Sequence, residues 1–227
     1  MQRLAPMLAL ALGLTLAYSG SGMLVAGIAS YQAEAFLQDW NDKGVEPDER
    51  AWQVALAAAQ RAIDLYPEAN GAYQHQLGLI QQWKQFRQPF GAASASASRI
   101  AALEAFRAAT KAQPTRPDHW AALAYAKVYL LEFDAEFHTA LHLAHELGPW
   151  RININRRVSE IGLIAWAQLT VMERTTIHEA IRRTVNHSSR ETRNLLAIAE
   201  QTGTTDTLCD GLSRQLKNDR NICQPPL

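Results

Sequence analysis

The sequence predicts an all-α chain in which one apolar N-terminal helix leads into a domain of stacked helical hairpins. Three observations carry this reading. Alanine and leucine dominate the 227 residues, and alternating β-branched runs are scarce. After Arg3 no charged side chain appears until Glu34. A pattern of small and large residues recurs before three prolines, Pro67, Pro114 and Pro149. With 48% hydrophobic and 19% charged residues the chain can bury a core. Its net charge of zero argues against a dedicated nucleic-acid binder.

The N-terminal segment, residues 1–31, contains "LAPMLALALGLTLAYSGSGMLVAGIASY", apolar or small almost throughout. About 20 such residues cross a bilayer core as a helix. The apolar region of a cleaved signal is shorter, roughly 7–15 residues. Leu4–Ala17 alone would suit a signal, and Gly27-Ile28-Ala29 would serve as its cleavage site. The apolar character resumes at Met23, however, so the length favours an uncleaved transmembrane anchor. On both readings the rest of the chain crosses the membrane. Arg3 and the amino terminus stay inside, because no basic cluster follows the segment to reverse it.

Residues 32–46 read as an acidic connection whose first half continues the anchor helix, with Gly44 and Pro47 marking its end. A helix then starts near Pro47 or Asp48, runs through "AWQVALAAAQRAIDLY" and stops at Pro67. Five residues before the three prolines sit Ala62, Ala109 and Ala144. Eight before sit Ala59, Phe106 and Leu141, and twelve before sit Ala55, Ala102 and Phe137. Intervals of three and four place each set on one helical face. Leu77-Gly78 and Trp120 with Leu123-Ala124 mark the helices that follow Pro67 and Pro114. Two helices are thereby expected to face each other across "PTRP", Pro114–Pro117. The prolines lie 35 residues apart from Pro114 to Pro149 and 47 from Pro67 to Pro114. Setting aside "RQPFGAASASASR" (87–99) as an inserted flexible loop leaves 34. That period and residue order resemble the tetratricopeptide repeat, in degenerate form. The expected repeat domain covers 47–203, and its pattern fades after Pro149.

Beyond Trp150, "RININRRVSEIGLIAWAQL" places Ile154, Val158, Ile161 and Ala165 on one side. "SRETRNLLAIAEQTG" opens with a serine cap, turns Leu195, Leu196 and Ala199 inward and ends at Gly203. The tail, 204–227, holds the only cysteines, Cys209 and Cys223. In an oxidising compartment this pair would close a small loop; the other reading is two free thiols. The spacing does not suit zinc.

Catalytic signals are sparse. His138, His142 and His145 share one helix face, but "HLAHE" matches no zinc-hydrolase arrangement and the three span two turns. They read as packing or half-exposed histidines, so no metal and no cofactor is expected. "YSGSG" lies in the membrane segment and "GAASASAS" lacks a lysine, so neither cradles phosphate. Asp134 and Glu136 read as cap and first-turn charges. Arg151, Arg156, Arg157, Arg174, Arg182, Arg183, Arg190 and Arg193 would suit an anionic glycan or acidic partner. The preferred reading is solvated helix faces with pairs such as Glu179–Arg183.

The segment Leu131–Trp166, with "DAEF" at Asp134–Phe137, "LGPW" at Leu147–Trp150 and "EIGL" at Glu160–Leu163, resembles the VpsP family of polysaccharide biosynthesis proteins. The resemblance extends over nearly the whole chain and brings no catalytic residues. It implies a single-pass protein of the bacterial inner membrane, its C-terminal domain in the periplasm, encoded beside exopolysaccharide synthesis and export machinery. The expected function is a non-enzymatic scaffold that holds a polymerase, an export protein or a glycan near the membrane. Tyr73, Gln74, Gln81, His119, Tyr125 and Tyr129 are its candidate contact residues, since aromatics with polar tips suit peptides and sugars. Two alternatives stand beside it: an adaptor for pilus or secretion assembly, and a metal-dependent glycan-active enzyme.

Overall fold

The computed structural model describes residues 4–223. Arg3, and with it the expected inside placement of the amino terminus, lies outside the described residues, as do 224–227 of the tail. Among the described residues every regular element is helical. They form two compact units, the first reaching Gln88 and resuming over Ala92–Gln113, the second comprising Pro89–Gly91 and the residues from Pro114 on.

The first unit contains α1 (Leu4–Lys43), α2 (Glu49–Leu65), α3 (Gly71–Trp83) and α4 (Ser96–Ala112). α1 is long and apolar enough to cross a membrane. From Leu12 to Ser21 every side chain is exposed, and Leu12, Leu14 and Leu16 each keep more than 60% of their surface. Thr15 and Ser21 donate their hydroxyl hydrogens to Leu12 O and Tyr18 O, so these polar groups ask nothing of the surroundings. From Ala26 the character of the helix changes. Ala26, Ala29, Ala33, Leu37 and Trp40 are buried at intervals of three and four, one stripe packed against α2 and α3. The expected acidic connection is therefore no linker: it is the second half of α1, with Glu34, Asp39 and Asp42 on the open face. Gly44, at φ +61°, ends the helix by donating its N–H to Trp40 O.

Leu37, Trp40, Ala55, Ala58, Ala59 and Ile80 form the core of this unit, edged by Trp52 and Trp83. Trp52 donates its indole N–H to Ile80 O at 3.0 Å. Gln76 is the buried polar member. Its amide donates to Ser30 O and to Glu34 Oε2, and accepts from the Ser30 hydroxyl. α3 and α4 form a hairpin whose closeness is set by Gly78. A Cβ added there would lie 2.5 Å from Phe106 Cε1. The expected inward positions Ala55, Ala59, Ala62, Ala102, Phe106 and Ala109 are all buried. The loop expected over 87–99 is shorter than the sequence suggests. A 3-10 turn, Ala93–Ala95, runs straight into α4. Arg99 is buried and donates to Gln88 O, and Ser98 donates to Lys84 O and Ala95 O, so the loop's carbonyls are satisfied by the helix that follows.

The second unit contains α5 (Pro117–Leu130), α6 (Ala135–Leu147), α7 (Ile152–Ile164), α8 (Val171–His187), α9 (Ser189–Thr202), α10 (Thr205–Asp210) and α11 (Arg214–Arg220). α5 pairs with α6 and α7 with α8, and α9 packs on both α7 and α8. The helices expected to face each other across Pro114–Pro117 belong to different units: α4 has α3 as its hairpin partner, and α5 has α6. The boundary between the two units thus falls inside the expected repeat domain, 47–203. The inward positions Phe137, Leu141 and Ala144 are buried as expected. The pattern does not end at Pro149. A Cβ on Gly162 would lie 2.7 Å from Ile177 Cδ1, and Ala180, three residues on from Ile177, is fully buried. The small-against-large contact thus recurs in a hairpin that lacks the marker tryptophan and proline.

Caps close these helices locally. Thr170 and Glu173 form a reciprocal capping box on α8. Ser188, one residue before the expected cap, accepts the Glu191 N–H, and Gly203 ends α9 in the left-handed region. Leu195 and Ala199 are buried, while Leu196 is only half-buried.

Gly78→Ala should destabilise the first unit by about 1–3 kcal/mol through overpacking, although the same change in an open helix gains up to about 1 kcal/mol. Phe106→Leu should soften that cost in the double variant. Urea unfolding in detergent measures both, and stabilisation by Gly78→Ala alone would remove the interlock.

Candidate functional site

A concentration of polar and aromatic groups in the second unit lies where α5 packs on α7. Tyr125 and Tyr129 are one turn apart on α5, so their rings meet edge to face at 5.0 Å. The Arg157 guanidinium, from α7, lies 4.5 Å over the Tyr125 ring, a cation–π distance. Glu160, three residues on, accepts from Arg157 at 3.0 Å. Arg156 extends the row to Glu191 of α9 at 3.5 Å. Phe90 packs on Tyr129 at 5.2 Å, and Gly91 donates its N–H to Tyr129 O. Burial pushes the Tyr125 phenol well up, helped by Tyr129 and opposed by Arg157. Burial also raises the Glu160 carboxyl, against the pull of Arg157 and Arg156. The face is half-buried and presents a phenol, a guanidinium and a carboxylate together. Such a set can hydrogen-bond and stack on a ligand, but it holds no activated nucleophile.

The other candidate contact residues separate. Tyr73 is half-buried and meets Tyr66 edge to face at 5.4 Å in the first unit. Gln74 and Gln81 are half-buried on the same helix. His119 is only 1% exposed, so it is a core residue and not a surface contact. Its place in the first turn of α5, behind Pro117, turns it inward, and burial, then Arg116, lowers its pKa. Arg157 is one of the arginines read from the sequence as solvated helix face, and Glu160 is not among the expected contact residues. Their i, i+3 spacing reads equally well as a solvated pair.

The three histidines of α6 do not converge on one point. His138 Nδ1 lies 2.7 Å from Glu173 Oε1 on α8, and His142 Nε2 lies 3.0 Å from Glu146. His145 is half-buried, its pKa lowered by burial and then by Arg183. Among the described residues, no three His, Cys, Asp or Glu side chains converge as a metal site. Six of the C-terminal arginines are engaged within the unit. Arg151 pairs with Asp118, Arg156 with Glu191 and Arg157 with Glu160. Arg174 lies over Trp166, Arg182 and Arg183 share Glu179, and Arg183 also stacks on Trp150.

Lys127 is a functional-looking group that the structure explains as architecture. It is fully buried on α5, yet its Nζ donates to Glu132, Asp134 and Glu136 at 2.8–3.0 Å across the turn into α6. Burial alone would lower its pKa; the three carboxylates outweigh that and hold it above its ordinary value. Burial would likewise raise Asp134, but the Lys127 ammonium and the Phe137 N–H hold its carboxyl low. Asp134 is also the N-cap of α6. Cys209 and Cys223 form a disulfide, with sulfurs 2.04 Å apart, that ties α10 to the end of α11. Arg220 of α11 donates to Val185 O and Asn186 O, seating the tail on the C-terminal end of α8.

No family model and no curated protein matches this chain.

Two outcomes follow from these contacts. Lys127→Met should lower stability by about 1–3 kcal/mol near neutral pH. The depressed Asp134 stabilises fully above its unfolded value of about 3.9, and this is lost as pH falls through the lower folded value. The raised Lys127 stabilises fully below about 10.4, and this is lost as pH rises through the higher folded value. The gap between wild type and variant should therefore close at both pH extremes; a gap independent of pH would discard the charge network as its cause. Replacing both cysteines by serine should cost about 3 kcal/mol for a loop of this size, read as a lower melting temperature and faster proteolysis after Gly203.

Proposed function

We propose that this chain is a membrane-anchored scaffold which assists exopolysaccharide biosynthesis or export and acts by holding partners, without chemistry of its own. The observation that carries the proposal is the continuity of α1. One helix provides an exposed apolar stretch and then, from Ala26, an integral part of the first unit's core. A tether built this way fixes the unit at a defined height above the membrane. Gly27-Ile28-Ala29 lies inside this helix, and its Ala29 belongs to the buried stripe, which disfavours cleavage and supports a permanent anchor.

The disulfide suits an oxidising compartment, and so the periplasmic side of a bacterial inner membrane. The Tyr125, Tyr129, Arg157 and Glu160 face supplies stacking and charge for a peptide or a glycan. The polysaccharide assignment itself rests on the resemblance of Leu131–Trp166 to the VpsP family. Within that segment the likeness falls on architectural residues: Asp134 caps α6, Phe137 fills the core, and Gly162 admits Ile177.

An in-frame deletion, compared with its parent and a complemented strain, tests the proposal by the amount and length of extracellular and surface polysaccharide. Loss or shortening of polymer is expected. Unchanged polymer in a producing strain would discard the polysaccharide reading and leave an anchored adaptor for another envelope assembly. Restoration by Arg157→Ala at the wild-type level would remove the α5–α7 face from the contact surface.

A further inference from the structure

We infer that the first unit is seated in the lipid headgroup layer of the bilayer that α1 crosses, through the α2 end of its helical bundle. The inference rests on the membrane reading of α1 and goes beyond it: a tether could equally hold the unit clear of the membrane.

The argument is one of length and charge. α2 returns along α1, and its last turn reaches back to Gly22, where an added Cβ would lie 3.0 Å from Leu65 O. Arg61 and Asp64 stand in that last part of α2 and Glu68 just beyond it, all exposed. Charged groups at this level keep the hydrocarbon core from rising past Gly22. At the other end of the apolar stretch, Arg3 bounds it in the sequence. The hydrocarbon must then be crossed by Leu4–Ser21, about 27 Å of helix at ~1.5 Å per residue. A bilayer core is about 30 Å thick. No length of α1 remains for a stalk, so the end of α2 lies at the membrane surface.

The groups found there fit an interface. Tyr18 is 82% exposed at the upper edge of the apolar stretch, and Leu65 is 39% exposed beside it. Tyr66 and Tyr73 pack edge to face at the same end. Tyrosines with an apolar ring and a polar tip collect at headgroup level. Residues Tyr18, Ser21, Val25, Asp64, Leu65 and Tyr66 help line a cleft of about 480 Å³ that opens at this level. A Cβ added at Gly71, the start of α3, would lie 2.9 Å from Ala109 O and Gln113 Cβ at the end of α4, which brings the exposed Lys111 to the same end of the bundle. Two cations, Arg61 and Lys111, and two acids, Asp64 and Glu68, at one end of the bundle match a zwitterionic surface, with its phosphates and ammonium groups, better than an anionic one.

The test uses the full chain in phosphatidylcholine vesicles, with single cysteines replacing Leu14, Leu65 or Val54, each carrying a nitroxide. The native cysteines are disulfide-bonded and do not take the label. Power saturation against oxygen and a water-soluble nickel chelate reads the depth of each label. Leu14 is expected in the hydrocarbon, Val54 in water, and Leu65 at headgroup depth with loss of nickel collisions relative to Val54. Leu14 in the hydrocarbon with Leu65 as accessible to nickel as Val54 would overturn the seating and leave the membrane anchor standing. Leu14 in water would overturn both.

Discussion

Close approach of paired helices, made possible by small side chains at the contact, is the constraint on which the structure depends. In the first unit Gly78 lets α3 come against Phe106 of α4, and Ala55, Ala59 and Ala62 give α2 a flat inner face. In the second, Gly162 does for α7 and Ile177 what Gly78 does for α3 and Phe106. Each contact sets a large side chain into the space a Cβ would need. The gain is dispersion and buried apolar area at native packing density, and the cost is a glycine in the middle of a helix. Such pairs tolerate little change in volume on either side, but they leave the outer faces of the helices free to vary.

α1 is subject to a different constraint, since its two halves answer to two surroundings. Leu12–Ser21 carries no charge and is exposed around its whole circumference, in a helix long and apolar enough to cross a membrane. From Ala26 the same helix narrows to one inward stripe, with acids opposite. The helix runs through Gly20, Gly22 and Gly27 at the change without a break, and no proline interrupts it there.

The buried and half-buried charges are arranged as local closures. Lys127 draws Glu132, Asp134 and Glu136 onto one ammonium and so fastens the turn from α5 to α6. Arg157 joins α7 to the tyrosines of α5, and Arg220 fastens α11 to the open carbonyls at the end of α8. Each desolvated cation is met by several acceptors or by a ring face, which is what makes its burial affordable.

The sequence by itself determined the helical class, the apolar N-terminal helix and most inward positions, because these follow from composition and local periodicity. Ala59, Phe106, Leu141 and their neighbours are spaced three and four apart, and that spacing alone commits one face of each helix to the core. The cysteine pairing was legible as one of two readings, the cap at Asp134 was marked by residue type, and the helix start near Asp48 was legible without its cap. Tertiary structure decided which helices pair, because partner choice depends on contacts between distant residues. It gave α4 to α3 and α5 to α6, and it revealed a hairpin in α7 and α8 whose marker residues are missing. It also moved His119 inside, and it brought Arg157 over Tyr125 across 32 residues of chain. Spacing along one helix can say which side a residue faces; only the neighbouring helix says what it meets there.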